Sequence, residues 1–169
     1  MEKLESCNYD IIISDMNLED LDILKDNLIT SFDNFWTYDI LKSELLSNNS
    51  KYITAKINDE IVGFAGLKLI LDEAEIMNIV VKKSFRCHGI ASLLLQKLFD
   101  ICNDFNISVV HLEVNELNSP AINLYEKFGF KVVGFRKHYY NDGNGAVLMK
   151  RGLPKGTGYF DTTRGRSFN

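Results

Sequence analysis

The chain has 169 residues, 46% of them hydrophobic and 25% charged, which is typical of one globular domain and not of a disordered chain. Its apolar stretches are interrupted by Lys, Asp or Glu within about ten residues, and the N-terminus carries Glu2 and Glu5, so neither a membrane span nor a secretory signal is predicted. The three cysteines, Cys7, Cys87 and Cys102, lack metal-like spacing and speak against a disulfide framework or structural zinc, which favours a cytoplasmic protein without a metal.

The hydrophobic pattern of the first half predicts one strand, two helices and then three strands. Apolar residues recur at helical spacing after Asn17, a predicted N-cap, and residues 58–60 are typical of a hairpin turn. The predicted elements are a strand at 9–13, helices at 18–32 and 38–46 separated by a break at Phe35-Trp36, and strands at 52–57, 61–71 and 75–81.

In the second half, helices and strands alternate. The predicted elements are a helix at 89–105, a strand at 108–114, a helix at 120–128 and strands at 131–139 and 146–150. This order predicts an α/β protein with a mixed sheet, in which the strands before and after the first of these helices pair in parallel. We expect one domain over residues 1–151 and a flexible, glycine-rich tail over 152–169.

Charge is distributed unevenly along the chain, although its net value is only −4. Residues 1–79 hold 6 Lys against 16 Asp and Glu, whereas residues 80–169 hold 13 Lys and Arg against 7 Asp and Glu. The first part therefore suits a cationic ligand and the second an anionic one, although scattered solvated charge explains the same numbers. Because no dense basic run occurs, direct binding of nucleic acid is not expected.

The junction between the strand at 75–81 and the following helix is a candidate anion site. A short loop leads to Gly89, where the first-turn N–H groups and the helix dipole can hold a phosphate, and Arg86 adds a positive charge. The spacing fits neither a Walker loop nor a dinucleotide fingerprint. On these residues alone, an ordinary tight turn explains the junction equally well.

Two motifs together resemble the GNAT superfamily of acetyltransferases. The first is Arg86-Cys87-His88-Gly89-Ile90-Ala91, which is similar to the superfamily pattern Gln/Arg-x-x-Gly-x-Gly/Ala. The second runs over 118–130, from Asn118 to Gly129-Phe130, and includes Leu124-Tyr125. Residues 71–81, 112–114 and 138–140, with Phe35-Trp36, resemble the RimI branch, whose members acetylate the N-terminal alanine of a small-subunit ribosomal protein. The resemblance covers residues 8–151.

The resemblance implies a GNAT fold, namely a single mixed, mostly antiparallel sheet whose central parallel strand pair is splayed around acetyl-CoA, flanked by about four helices. It also implies direct attack of a neutral amine on the thioester in a ternary complex. Glu113 then matches the general base and Tyr125 the general acid. Without the resemblance, Glu113 is a solvated strand-end carboxylate and Tyr125 a core aromatic.

The other implied site residues fall into two groups. Those expected to bind acetyl-CoA are Ile79, Val80, Val81, Arg86, Cys87, His88, Gly89, Ile90, Ala91, Ser92 and Asn118, the last of which also reads as a helix N-cap. The residues expected to bind the acceptor are Trp36, Asp72, Glu75 and Tyr139. A nucleophilic Cys87-His88 pair is a disfavoured alternative, and His111 and His138 are interpreted as structural or substrate-lining residues, not as metal ligands.

The predicted function is therefore transfer of acetyl from acetyl-CoA to a protein N-terminal α-amine, with a ribosomal protein as the expected partner. Acetylation of a lysine side chain or a small amine is the enzymatic alternative, and a catalytically silent acyl-CoA-binding module is the non-enzymatic one. We expect no membrane partner and a monomer or weak dimer.

Overall fold

The computed structural model describes residues 9–32 and 36–154. Seven strands and four α-helices occur in this part of the chain. In chain order they are β1 (Ile12–Asp15), α1 (Leu18–Leu24), α2 (Tyr38–Leu45), β2 (Ser50–Ile57), β3 (Glu60–Ile70), β4 (Glu73–Val81), α3 (Ile90–Asp104), β5 (Val109–Asn115), α4 (Ser119–Lys127), β6 (Lys131–Arg136) and β7 (Ala146–Gly152). Cys7, Phe35 and the predicted tail beyond residue 154 lie outside the described residues.

The strands form one mixed sheet in the order β1-β2-β3-β4-β5-β7-β6. The predicted parallel pair is confirmed, because β4 and β5 run parallel in a register from Glu73–Val109 to Ile76–Leu112. The pairs β1–β2, β5–β7 and β6–β7 are antiparallel. The predicted α/β fold with a mostly antiparallel sheet and four helices is therefore correct.

The described residues belong to two compact units. The first comprises the chain up to Leu67 together with Met77–Leu98, and the second comprises Lys68–Ile76 together with the chain from Phe99 onwards.

In the first unit, α1 and α2 contribute to a cluster of buried apolar side chains. Leu21, Leu24, Leu41 and Phe64 are almost fully inaccessible to solvent. Asn17 is the N-cap of α1, as predicted, and it forms a capping box: its side chain accepts a hydrogen bond from the Asp20 amide at 2.9 Å, and its own amide donates to the Asp20 carboxylate at 3.1 Å.

The predicted helix 18–32 was wrong in its second half, since α1 ends at Leu24. Residues 25–32 form hydrogen-bonded turns, including a contact from the Asn27 amide to the Leu24 carbonyl at 2.9 Å. Leu28 and Phe32 are nevertheless buried in the cluster. Their helical spacing thus reflects burial on successive turns and not a continuous α-helix.

In the second unit, β5 alternates between two faces of the sheet. Val110, Leu112 and Val114 are buried, whereas His111 and Glu113 point to the half-buried face. β6 ends at Arg136, three residues before the predicted end at 139, and its pairing with β7 contains an irregularity between Val132 and Gly134. No helix within residues 9–32 and 36–154 is long and apolar enough to cross a membrane.

Candidate active site

The loop before α3, in the first unit, has a backbone that leaves space for a ligand. Gly89 has a φ of +79°, and an added Cβ there would meet nothing within 4 Å. Cys87 is exposed and also has a positive φ, of +64°. α3 follows directly at Ile90 and is 15 residues long, so its first-turn amides and its dipole are available at this end. Among the described residues, the space beside Gly89 in the predicted phosphate cradle is therefore open.

Besides the positive charge noted in the sequence, Arg86 forms hydrogen bonds that anchor this loop. Its Nε donates to the Val81 carbonyl at 3.1 Å, and one terminal nitrogen donates to the Phe32 carbonyl at 3.2 Å. These bonds tie the loop to the end of β4 and to the turns after α1. Arg86 thus holds the loop in place through the backbone.

The remaining residues of the loop region differ in exposure. His88 is exposed, and its Nδ1 lies 2.7 Å from the Arg86 carbonyl oxygen. The imidazole ring therefore faces the backbone of the loop. Ile90 is buried, whereas Ala91 and Ser92 are half-buried in the first turn of α3. The last β4 residues, Ile79, Val80 and Val81, are all half-buried.

Glu113, in the second unit, lies among polar partners. Its Oε1 is 3.1 Å from an Arg136 guanidinium nitrogen, and its side chain is 22% exposed. Tyr139 interacts with the same carboxylate, and this interaction is the largest of several causes that raise the pKa of Tyr139. A carboxylate that is oriented by such partners and reachable by solvent can accept a proton from an approaching amine.

Tyr125 has the opposite environment. It lies near the C-terminal end of α4, is 8% exposed and packs edge-to-face on Phe130 with 5.7 Å between ring centres. Burial, followed by the influence of Tyr140, raises the pKa of Tyr125 to about 12. The hydroxyl therefore stays protonated at neutral pH and can donate a proton or a hydrogen bond.

A cleft of about 320 Å³ lies on the same sheet face as Glu113, entirely within the second unit. Glu75 and Glu113 line it together with Arg136, and Ile70, Val133 and Leu148 supply apolar walls. The predicted acceptor residue Glu75 is thus brought together with the predicted base.

Other predicted residues have structural partners of their own. Asn118 is an N-cap of α4 and accepts a hydrogen bond from the Ala121 amide at 3.2 Å. The Asp72 carboxylate accepts a hydrogen bond from the Ser108 hydroxyl at 3.1 Å, which joins the turn before β4 to the start of β5. Trp36 packs, partly buried, against the apolar cluster of the first unit.

Arg136 is a residue of this cleft that the sequence motifs did not predict. Its proximity to Glu113 depends on the irregular pairing of β6 with β7, which an alternating pattern does not reveal. The one available signal was its position three residues before Tyr139, at the end of a predicted strand.

Comparison with known proteins gives consistent results. Residues 18–130 match the model of the acetyltransferase (GNAT) family. A ribosomal protein bS18-alanine N-acetyltransferase from Haemophilus influenzae is 36% identical over 120 residues, covering 68% of this chain and 80% of the relative. An N-alpha-acetyltransferase from Sulfurisphaera tokodaii is 34% identical over 151 residues, covering 81% of this chain and 90% of the relative. The crystal structure of the ribosomal-protein-S18-alanine N-acetyltransferase from Escherichia coli matches with a TM-score of 0.78 at 27% identity, covering 89% of this chain and 99% of that one.

Proposed function

The chain belongs to the acetyltransferase (GNAT) family, and on that premise we propose that it transfers acetyl from acetyl-CoA to the N-terminal alanine of a small-subunit ribosomal protein in the cytoplasm. The names of the relatives support this acceptor, since two are bS18- or S18-alanine N-acetyltransferases and the third is an N-alpha-acetyltransferase. The observation that carries the proposal is Glu113, a carboxylate held by Arg136 and Tyr139 beside an open cleft.

Acetyl-CoA supplies the acetyl group as a thioester, and the open loop before α3 fits its pyrophosphate. Main-chain amides of Cys87, His88 and Gly89 would donate to the phosphate oxygens, as would those of Ile90, Ala91 and Ser92 in the first turn of α3. Arg86 would add its charge. The main chain of Ile79–Val81 would bind the pantetheine arm, and the side chain of Asn118 would add a hydrogen bond from the N-terminus of α4.

Glu113 would act as the general base. A neutral acceptor amine attacks the thioester carbonyl, a C–N bond forms and the C–S bond breaks. The nitrogen must then lose a proton, which Glu113 accepts. Tyr139, through its interaction with Glu113, would help to hold the carboxylate in position.

Tyr125 would stabilise the thiolate leaving group. The departing thiolate needs a proton or a strong hydrogen bond, and a thiol has a pKa of about 8.5. Because burial raises the pKa of Tyr125 to about 12, Tyr125 is the weaker acid of the two. Its main contribution would therefore be a hydrogen bond that stabilises the charge developing on sulfur, with full proton transfer completed as the product leaves.

The acceptor peptide would occupy the cleft beside Glu113. Glu75 would attract basic side chains near the peptide N-terminus, and the apolar walls would pack against their methylene groups. Asp72, Trp36 and Tyr139 are the other residues proposed to contribute to acceptor binding.

The test measures CoA release from acetyl-CoA in the presence of a peptide with the N-terminal sequence of the ribosomal protein. The control is the same peptide with a blocked α-amine. Turnover with only the free peptide is expected. Equal turnover with both peptides would move the acceptor to lysine, and binding of acetyl-CoA without turnover of either would favour a non-catalytic module or another amine.

A further inference from the structure

We infer that Arg136 is a specificity-determining residue that disfavours protonated amines at Glu113 and thereby selects an α-amine over a lysine side chain. The inference rests on the proposed function, since it takes Glu113 as the base. Arg136 is not one of the residues implied by the family motifs.

The geometry places a fixed cation directly on the proposed base. An Arg136 Nη lies 3.1 Å from Glu113 Oε1, and the guanidinium carbon lies 5.4 Å from the centre of the Tyr139 ring. Tyr139 in turn interacts with Glu113. Arg136 is thus held by two partners, while Glu113 and Arg136 both line the cleft that an acceptor would enter. An ammonium group that reached Glu113 would therefore come close to the guanidinium.

The other charged groups of the cleft do not cancel this effect at the base. Glu73 is paired with His111 at 3.0 Å, and Glu75, although it lies in the same cleft, is not the group in contact with Arg136. Lys150 lies opposite His111 in the β5–β7 register and adds positive charge to the same sheet. Glu75 can attract a cation to the cleft as a whole, whereas repulsion by Arg136 acts where the reacting nitrogen must sit.

The two classes of amine differ in how often they are neutral. At pH 7.5, about a quarter of α-amines with a pKa of about 8 are neutral, against about 0.1% of lysine side chains with a pKa of about 10.4. Because the base is already paired with a guanidinium, the acceptor amine must be neutral when it reaches the base. Without Arg136, the unpaired carboxylate could bind an ammonium ion and take its proton on the enzyme, and lysine would gain more from this route than an α-amine.

The experiment compares two peptides of matched sequence, one with a free α-amine and no lysine, the other with a blocked α-amine and one lysine. Values of kcat/KM at pH 7.5 are measured for the wild type, R136M, R136Q and R136K. We expect R136M and R136Q to raise the ratio of lysine to α-amine activity by roughly tenfold, the effect of one charge in a partly hydrated cleft. R136K keeps the charge and should keep the ratio within about twofold of wild type.

A ratio that stays constant in R136M and R136Q, whatever the loss of total activity, would overturn the inference, because a purely structural role lowers both activities together. A ratio that rises in R136K as much as in R136M would also overturn it. Wild-type enzyme that does not use the free α-amine would instead overturn the proposed function, and this inference with it.

Discussion

Glu113 and Tyr125 belong to the same unit of the molecule but have opposite surroundings. Glu113 is partly exposed and contacts a guanidinium and a phenol, whereas Tyr125 is buried against an aromatic ring. A group that must exchange protons with an acceptor needs access to solvent, and a group that must remain protonated benefits from burial. Each residue thus has the environment that its proposed role requires.

Replacing Glu113 by Gln removes the proposed base while it keeps the size of the side chain. We expect kcat/KM for the free α-amine peptide to fall at least roughly 100-fold, the lower range for loss of a general base. The matched control is E73Q, which alters a carboxylate of the same cleft that is paired with His111, and it should leave kcat within about twofold of wild type. Equal losses in the two variants would contradict the assignment.

Tyr125→Phe removes the hydroxyl and retains the ring that packs on Phe130. We expect a fall in kcat of roughly 100-fold with little change in thermal stability. Because the pKa of Tyr125 is about 12, the protonated form persists well above the ordinary tyrosine value of about 10. The kcat of the wild type, measured from pH 7 to pH 10.5, should therefore show no decline from Tyr125; a decline near pH 10 that is absent in the variant would contradict the burial argument.

For single residues, the sequence motifs predicted the candidate site residues but not the side chains that contact them. The separation between Glu113 and Tyr125 along the chain is visible in the sequence, whereas the contact of Arg136 with Glu113 is not. An irregularity in a strand pair changes which side chains share a face, and residues 132–134 contain one. The backbone bonds of Arg86 were equally hidden, since they depend on turns that were predicted as helix.

Among the elements, the capping box at the start of α1 is predicted to contribute to stability. Asn17→Ala removes the side-chain acceptor of the Asp20 amide, and we expect a loss of about 1 kcal/mol in the free energy of unfolding, measured with denaturant. N103A, which alters an exposed asparagine in the last turn of α3, is the control and should change stability by less than about 0.5 kcal/mol. Identical values for the two variants would show that the cap is not energetically important.

Gly89, in the loop before α3, allows a second test at the level of an element. Its φ of +79° strains any other residue, so G89A should cost about 1 kcal/mol of stability and raise the KM for acetyl-CoA several-fold as the loop shifts. Gly143 is a matched control, because its φ is +87° and its Cβ position is also open. G143A should show similar strain without a change in the KM for acetyl-CoA; a similar rise in KM would point to a general loss of stability.

Most elements were predictable because apolar periodicity and turn residues agree. The hairpin between β2 and β3 is one example, since Asn58 and Asp59 adopt the positive φ values that short turns require. α1 is the main exception. Asp22, Asp26 and Asn27 follow the first turn, and residues of these types compete with helix by bonding to the local backbone, yet the apolar residues after them remain buried.

For the whole molecule, buried ionisable groups predict a loss of stability at alkaline pH. Burial raises the pKa of Tyr52, raises that of Tyr125 to about 12 and raises that of Cys102 to about 12. In the unfolded chain these groups have pKa values of about 9 to 10. The unfolded state therefore loses protons at a lower pH than the folded state and becomes favoured as the pH rises. Their contribution is complete below about pH 8.5 and declines progressively above it.

We therefore expect the Tm to be constant between pH 7 and pH 8.5 and to fall steadily from about pH 9 to pH 11. Y52F and C102A each remove one of these groups and should show a shallower decline, although from a lower starting Tm. Parallel declines in both variants and the wild type would contradict the assignment of the effect to buried groups.

The arrangement of the sheet was predictable only in part. The parallel pairing of β4 and β5 follows from the helix between them, because a crossover helix returns the chain in the same direction. The position of β7 between β5 and β6 does not follow, since a hairpin can add to a sheet through either of its strands. That choice depends on which strand buries its side chains better, and Met149 of β7 is almost fully buried.

The exposed thiol of Cys87 has a practical consequence for the measurements of CoA release. Disulfide reagents that detect the thiol of released CoA also react with exposed protein thiols, and Cys87 lies in the loop proposed to hold the pyrophosphate. Released CoA is therefore better measured in samples taken after the reaction has been stopped. Cys102 is buried, and its raised pKa disfavours the reactive thiolate. Among the residues that the structure describes, Cys87 is therefore the accessible thiol. The rate at which it is alkylated with and without acetyl-CoA then reports occupancy of the loop directly, with no acceptor and no turnover.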